Sequence, residues 1–343
     1  AAKYWRKRGG FKTKIIDFKK TGQVHFIFHG DYKKLNVFFI SIKKTLLKNC
    51  DKISHNMSKR GGGILDIELL DKTKDIDNYF QLNATFDTVD SMGANFINSC
   101  LERFAETIKK EAFSFDSFSK KEKNIEIIMS ILSNYVPECL VRAEVSCPIE
   151  DLNEETELNS NEFAKKFHQA IKIAKTQRER AVTHNKGIMN GVDSVIIATG
   201  NDFRAIEAGI HAYASKNGSY TSLSDVNIEN GIFNFWIELP LSLGTVGGIT
   251  SLHPLVKWCL KLLKNPTGKE LMKIVAVAGL AQNFAALSSL ISSGIQKGHM
   301  KMHLINILNT FNCNNNEKEK LINYFKSNLV SYSSVEKELL NLR

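Results

Sequence analysis

The stretch Arg180-Ala-Val-Thr-His-Asn-Lys186-Gly-Ile-Met-Asn190-Gly-Val-Asp-Ser-Val195-Ile-Ile-Ala198-Thr-Gly-Asn-Asp202-Phe-Arg204 sets charged and amide side chains on both sides of one apolar run. Val195 to Ala198 reads as a buried strand, with Arg180, Lys186, Asn190, Asn201 and Asp202 around it. A strand flanked in this way aims polar chemistry into a cleft. Lys186 and Asp202 are sixteen residues apart, and a strand between them lets both face one end of that cleft. A lysine beside a carboxylate is held charged and polarises a carbonyl oxygen. Taken singly, Lys186 is a surface lysine and Asp202 is the N-cap of a helix beginning at Phe203.

Working outward, the chain of 343 residues is long enough for two or three domains. Its 43% apolar and 24% charged residues are those of an ordinary globular protein. No unbroken apolar run reaches about 18 residues, so no transmembrane helix is expected. The start, Ala-Ala-Lys-Tyr-Trp-Arg, has no signal-peptide core and no initiator Met, so a longer native protein is expected. Six scattered cysteines without C-x-x-C spacing read as reduced thiols of a cytoplasmic protein. The net charge of +10 is spread among acids and carries no nucleic-acid-binding motif, but its field suits a phosphate-rich ligand.

Residues 11 to 118 read as β-β-α-β-β-α, a small ferredoxin-like sandwich. Phe11 to Phe18 pairs with Gln23 to His29 around Thr21-Gly22. Asp31 to Asn49 is helical, Ile64 to Leu70 and Tyr79 to Val89 are strands, and a helix runs from Gly93 to Lys110. Beyond it, Asn124 to Tyr135 reads as helix, Leu140 to Val145 as strand and Glu162 to Arg180 as helix. Phe203 to Lys216, Leu255 to Leu263 and Lys269 to Ser292 are further helices, and Phe233 to Leu239 is a strand. From Lys297 the chain reads as an appendage of short helices.

Three further clusters carry chemistry. Asp90-Ser-Met92-Gly93-Ala-Asn95 lies between a strand and a helix, where free N–H groups and the helix dipole favour a pyrophosphate. His299, in Gly298-His-Met, opens the tail and suits proton transfer to a leaving group. Its helical spacing to His303 has no acidic or cysteine partner, so no metal is expected. Gln282 and the glycine-rich run Glu238 to Gly248 complete the set, the latter allowing close approach of a backbone to a ligand.

In order, the segments Asp90 to Asn95, Arg180 to Asp202, Glu238 to Gly248, Gly279 to Asn283 and Gly298 to Met300 resemble those of class II (bacterial-type) 3-hydroxy-3-methylglutaryl-CoA (HMG-CoA) reductases. The resemblance implies two hydride transfers from NAD(P)H that turn HMG-CoA into mevalonate and CoA. Lys186 would stabilise the oxyanion, Asp202 would keep Lys186 charged, and His299 would protonate the CoA thiolate. Arg180, Asn190 and Gln282 would hold the substrate, and Asp90, Met92, Gly93 and Asn95 the dinucleotide. The implied fold is a large, mostly helical α/β domain (1–10 and 119–296) interrupted by a small nucleotide-binding domain (11–118), with a helical flap (297–343). A cytoplasmic homodimer, or an oligomer of dimers, with sites at the subunit interface is implied. The family's catalytic glutamate has no counterpart here, so poor activity is expected of these residues by themselves.

The basic stretch Ser54 to Arg60 favours NADPH over NADH. The alternatives are a mevalonate-oxidising enzyme of the same family and a non-catalytic CoA- or nucleotide-binding relative. The trio Lys186, Asp202 and His299 argues against the latter. No nucleic-acid or membrane partner is expected.

Overall fold

The computed structural model describes residues 1–152, 158–292 and 295–343, with the side chains of 295–302 outside that description. In chain order the elements are α1 (Ala2–Arg6), β1 (Lys12–Ile15), β2 (Lys20–Ile27), α2 (Tyr32–Asn49), α3 (Asp51–Ser58), β3 (Gly63–Asp71), β4 (Tyr79–Asp87) and α4 (Ala94–Ser114). Next come β5 (Glu126–Leu132), β6 (Leu140–Pro148), α5 (Ser160–Thr176), α6 (Arg178–Ala198), α7 (Phe203–Ala214), β7 (Ser224–Glu229) and β8 (Ile232–Pro240). The chain closes with α8 (Pro254–Leu262), α9 (Gly268–Ile291), α10 (Ile295–Thr310), α11 (Asn315–Tyr324) and α12 (Tyr332–Leu342).

Two antiparallel sheets organise the molecule, in the orders β3-β4-β2-β5 and β1-β6-β8-β7. The first alternates buried and half-buried residues along β2 and β4, burying Val24, Phe26, Leu82 and Phe86 against α2 and α4. Its connectivity is β-α-β-β-α-β, one strand later than the β-β-α-β-β-α expected from the sequence. The first expected strand pairs elsewhere, since β1 lies against β6 with Lys12 opposite Glu144. Gly22 is not a turn residue but the middle of β2. A Cβ there would stand 2.6 Å from Leu101 of α4, so the glycine lets that helix cross the sheet closely. The expected helix at 124–135 is the edge strand β5, paired to β2 through a bulge at His25/Phe26. Its outer side is open, so Ile128, Met129 and Ile131 are about half exposed and the apolar pattern lacks a clean period of two.

The second sheet packs on α5, α7 and α9, and α6 packs on α9. Val195 to Ala198 is not a strand but the last turn of α6. Ile196 is fully buried while its neighbour Ile197 is 59% exposed, and Val195 is half-buried. What sets the helix is its contact with α9. A Cβ on Gly191 would stand 2.5 Å from the Ala278 carbonyl, and one on Gly279 would stand 3.0 Å from Val192, so the two backbones nearly touch. Gln177, in extended conformation, breaks the expected 162–180 helix into α5 and α6. α9 is long and apolar enough by composition to cross a membrane, but here it is the central helix of the core, with Leu271, Val275, Leu280 and Leu287 buried.

α1 is pinned by Trp5, which is fully buried among Tyr4, Phe233 and Phe284. The chain leaves the second sheet after β1 and returns to it at β6. These crossings are tied where Ile16 N–H donates to the Leu140 carbonyl at 2.8 Å and Leu140 N–H to that of Asp17 at 3.0 Å. The last three helices share a separate small core around Leu308, Leu321 and Val335.

Candidate active site

The turn from β4 into α4 forms one wall of the site. Val89 is β-branched yet held at φ 50°, in the left-handed region. Lys20, 1% exposed, lies under this turn and donates to Thr88 Oγ1 (2.6 Å) and to the carbonyls of Ser91 (2.8 Å) and Met92 (3.2 Å). Gly93 follows at φ 88°, where a Cβ would stand 2.7 Å from Thr88 Cβ. No side chain caps α4, so its first N–H groups stay available at the positive end of a 21-residue helix. Asp90 turns away from the opening. Its Oδ1 accepts the Gly268 N–H (2.7 Å), and its carbonyl accepts from Thr245 (2.8 Å) and Val246 (3.2 Å).

The opposite wall joins the end of α6 to the glycine-rich run. Asp202 caps α7, accepting from the N–H groups of Arg204 (3.1 Å) and Ala205 (3.2 Å), while leaving its carboxylate partly open. Asn201 Oδ1 accepts the Gly244 N–H at 2.8 Å. Between the walls is a cleft of about 400 Å³, lined by Met92, Gly93 and Asn95 on one side and by Asp202 and Gly244 on the other, with Arg60 at its rim. Gly247 and Gly248, at φ 85° and 56°, add no Cβ to that side, which Val246, Ile249 and Thr250 also line. A larger groove of about 550 Å³ lies on the open face of the first sheet. It presents Asp66, Glu68 and Glu138, which disfavour phosphate.

The remaining candidates lie further back along α6. Lys186 and Asn190 are one turn apart on its exposed side. Gln282 of α9 is close by, since its Cβ is 2.9 Å from where a Cβ on Gly191 would be. Arg180 is half-buried, and burial lowers its pKa. It adds to the burial that drives His184 down to about 3, so His184 is neutral. His184 Nε2 meets Ser224 Oγ at 2.8 Å, and Ser224 donates to Asn283 Oδ1 at 2.8 Å. Asn185 binds the backbone at Thr221 and Leu223. These contacts fix α6 against β7 and α9, which sequence reasoning did not find because they depend on the unexpected strand β7.

One chain therefore does not bring Lys186 to Asp202. The thirteen residues from Lys186 to Ala198 are helical, and their twelve steps of 1.5 Å set about 18 Å between Lys186 and the end of α6. His299 falls within α10, and its side chain lies outside the described residues.

A family model described as hydroxymethylglutaryl-coenzyme A reductase matches residues 1–304. The chain belongs to that family. HMG-CoA reductases are NAD(P)H-dependent oxidoreductases, and the function here is reduction of HMG-CoA to mevalonate and CoA. The chain is 35% identical, over 91% of its length, to a probable 3-hydroxy-3-methylglutaryl-coenzyme A reductase of Borreliella burgdorferi, of which it spans 70%. An HMG-CoA reductase structure from Streptococcus pneumoniae superposes with a TM-score of 0.77 at 33% identity, covering 99% of this chain and 79% of that one. A class II HMG-CoA reductase from the same organism, bound to NADPH in open conformations, gives 0.76 at 34% identity, over 84% of this chain and 76% of that one.

Proposed function

We propose that the 400 Å³ cleft takes NADPH and that the site is completed by the Lys186 face of α6 from a second copy. The observation that carries this is the meeting of Asp202 with Met92, Gly93 and Asn95 in one cleft, with Arg60 at its rim. The uncapped start of α4 suits a pyrophosphate, and the Arg60 guanidinium suits a 2′-phosphate. When bound, NADPH supplies hydride to the carbonyl carbon.

In the proposed roles, Lys186 places its ammonium on the oxygen that becomes negative as hydride adds to the thioester, and again at the aldehyde. Asp202 of the partner copy keeps that ammonium charged and in place. His299 gives a proton to the departing CoA thiolate, which then cannot re-add to the aldehyde. Arg180, Asn190 and Gln282 hold the carboxylate and hydroxyl of the HMG group. Asp90 ties the glycine-rich run to the cofactor turn.

A dimer is supported by the helix length and by an exposed apolar surface beside the cleft: Ile197, Ile249, Leu252, Leu255, Trp258 and Leu262 are 48 to 77% exposed. Six free thiols fit a reducing cytoplasm. The remaining proposals are that the nucleotide-binding domain expected at 11–118 is the unit of the first sheet, which gives up β1 to the second sheet and gains β5, and that 297–343 is the flap. The test is oxidation of NADPH with HMG-CoA by the full-length protein, expected at two equivalents per substrate. Lys186→Ala is expected to abolish turnover with an unchanged circular dichroism spectrum, and near-normal activity in that variant would overturn the assignment.

A further inference from the structure

Lys20 is a buried lysine to which the reaction gives no role. Its three donors all go to the turn that lines the cleft, through Thr88 Oγ1 and the carbonyls of Ser91 and Met92. Thr88 Oγ1 in turn donates to the Ser91 carbonyl at 2.6 Å. A trans peptide sets its N–H opposite its C=O. Drawing the carbonyls of residues 91 and 92 inward therefore turns the N–H groups of Met92 and Gly93 away from the ammonium. Successive N–H groups presented together form an anion-binding nest. The turn does not hold this shape by local preference, because Val89 occupies a strained left-handed conformation that its surroundings must enforce.

We propose that Lys20 is the positioning residue of the cofactor cleft, holding the 91–93 backbone so that its N–H groups meet the phosphates of the dinucleotide. This rests on the cofactor reading of the cleft given above. Lys20 touches neither substrate nor cofactor; it acts through the turn.

A second consequence is pH dependence. An ammonium has three N–H donors for the three acceptors, and a neutral amine has two. Burial is the main influence and brings Lys20 down to about 8, against the upward pull of Cys139, Asp87 and Asp90. The other charge nearby is Lys269 of α9, whose ammonium lies 5.0 Å from the Phe18 ring centroid, with Lys20 5.2 Å from the same ring. As pH rises through about 8 one anchor is lost and the turn loosens.

The test is titration of the protein with NADPH, followed by nucleotide fluorescence, at pH values on both sides of about 8. The wild type is expected to bind about tenfold more weakly on the alkaline side, the equivalent of one charge-assisted hydrogen bond. Lys20→Met is expected to bind about tenfold more weakly already at neutral pH, without the alkaline step. It should raise KM for NADPH with kcat and KM for HMG-CoA nearly unchanged. Lys20→Arg, charged throughout, should bind better than Lys20→Met and show no step. Thr88→Val removes one anchor and keeps the lysine, giving a smaller loss in the same direction even if Lys20→Met does not fold. A folded Lys20→Met with wild-type affinity, or a wild-type profile flat across the range, overturns the positioning role. If the wild type does not bind NADPH, or Arg60→Ala and Gly244→Ala both leave its affinity unchanged, the cofactor reading itself fails and takes this inference with it.

Discussion

Replacing Gly244 by alanine tests the geometry of the cleft with one methyl group. The added Cβ would press on the backbone nitrogen of Met92 and stand 3.0 Å from the carbonyl carbon and 3.2 Å from the Cα of Ser91. All three are backbone atoms, so no side chain can swing aside. Ordinary non-bonded contact is about 3.5 to 4 Å, and the glycine-rich run must therefore retreat by something near 1 Å. It is tied in place by Asn201 Oδ1 to Gly244 N–H (2.8 Å) and by the Asp90 carbonyl to Thr245 N–H (2.8 Å) and Val246 N–H (3.2 Å). Overpacking costs about 1 to 3 kcal/mol, and one strained or broken hydrogen bond adds about 1 kcal/mol. We expect a loss of about 2 to 4 kcal/mol in urea unfolding at constant m-value, with NADPH bound at least about tenfold more weakly. A variant with stability within about 0.5 kcal/mol of wild type and undiminished NADPH affinity would refute the close approach.

Gly187→Ala is the counterpart: it lies in the middle of α6 and its Cβ meets nothing within 4 Å, so unfolding measurements should show a gain of up to about 1 kcal/mol. Trp5→Ala empties a fully buried site among three aromatic rings and should cost about 3 to 5 kcal/mol in the same assay. Asp193 of α6 is pushed up to about 6 by burial and by the facing Glu207. The native state thus keeps a proton that the unfolded chain releases near its ordinary value of 3.8, and stability should fall as pH rises from there to about 6. Glu207→Gln should shrink that fall, measured by urea unfolding at either end of the window. Mixing inactive Lys186→Ala and Asp202→Ala chains should restore about a quarter of wild-type turnover, since about half the dimers are mixed and each holds one intact site. No recovery on mixing would refute the shared site.

The local chemistry of the chain was legible where a residue acts on its own neighbours. Asp31 accepts the Lys34 N–H to start α2, and Asp202 starts α7 as a cap. α8, α9, β4, β6 and β8 stand close to where their patterns place them. What failed depended on partners distant in sequence. The run Val195 to Ala198 has β-branched residues that favour a strand, but α9 offers a helix-sized groove at Ala278 and Gly279. β1 and β5 exchanged roles because pairing partners are not visible in short apolar runs. The motif residues divided in a way no spacing shows: Asp202 joined Met92, Gly93 and Asn95, while Lys186, Asn190 and Gln282 stayed back along α6, Lys186 by about 18 Å. Lys20 gave no signal at all, because a lysine in a strand reads as exposed until its acceptors are known.

The length of α6 has a further meaning. A rigid helix that carries the oxyanion lysine near its middle and leads, about 18 Å further on, to the cofactor-side carboxylate gives each chain the halves of two different sites. On the proposed dimer, catalytic capacity belongs to the pair and not to the chain. Far below the dimer dissociation constant, turnover then scales with the square of chain concentration. Dilution alone would silence the enzyme without unfolding a residue.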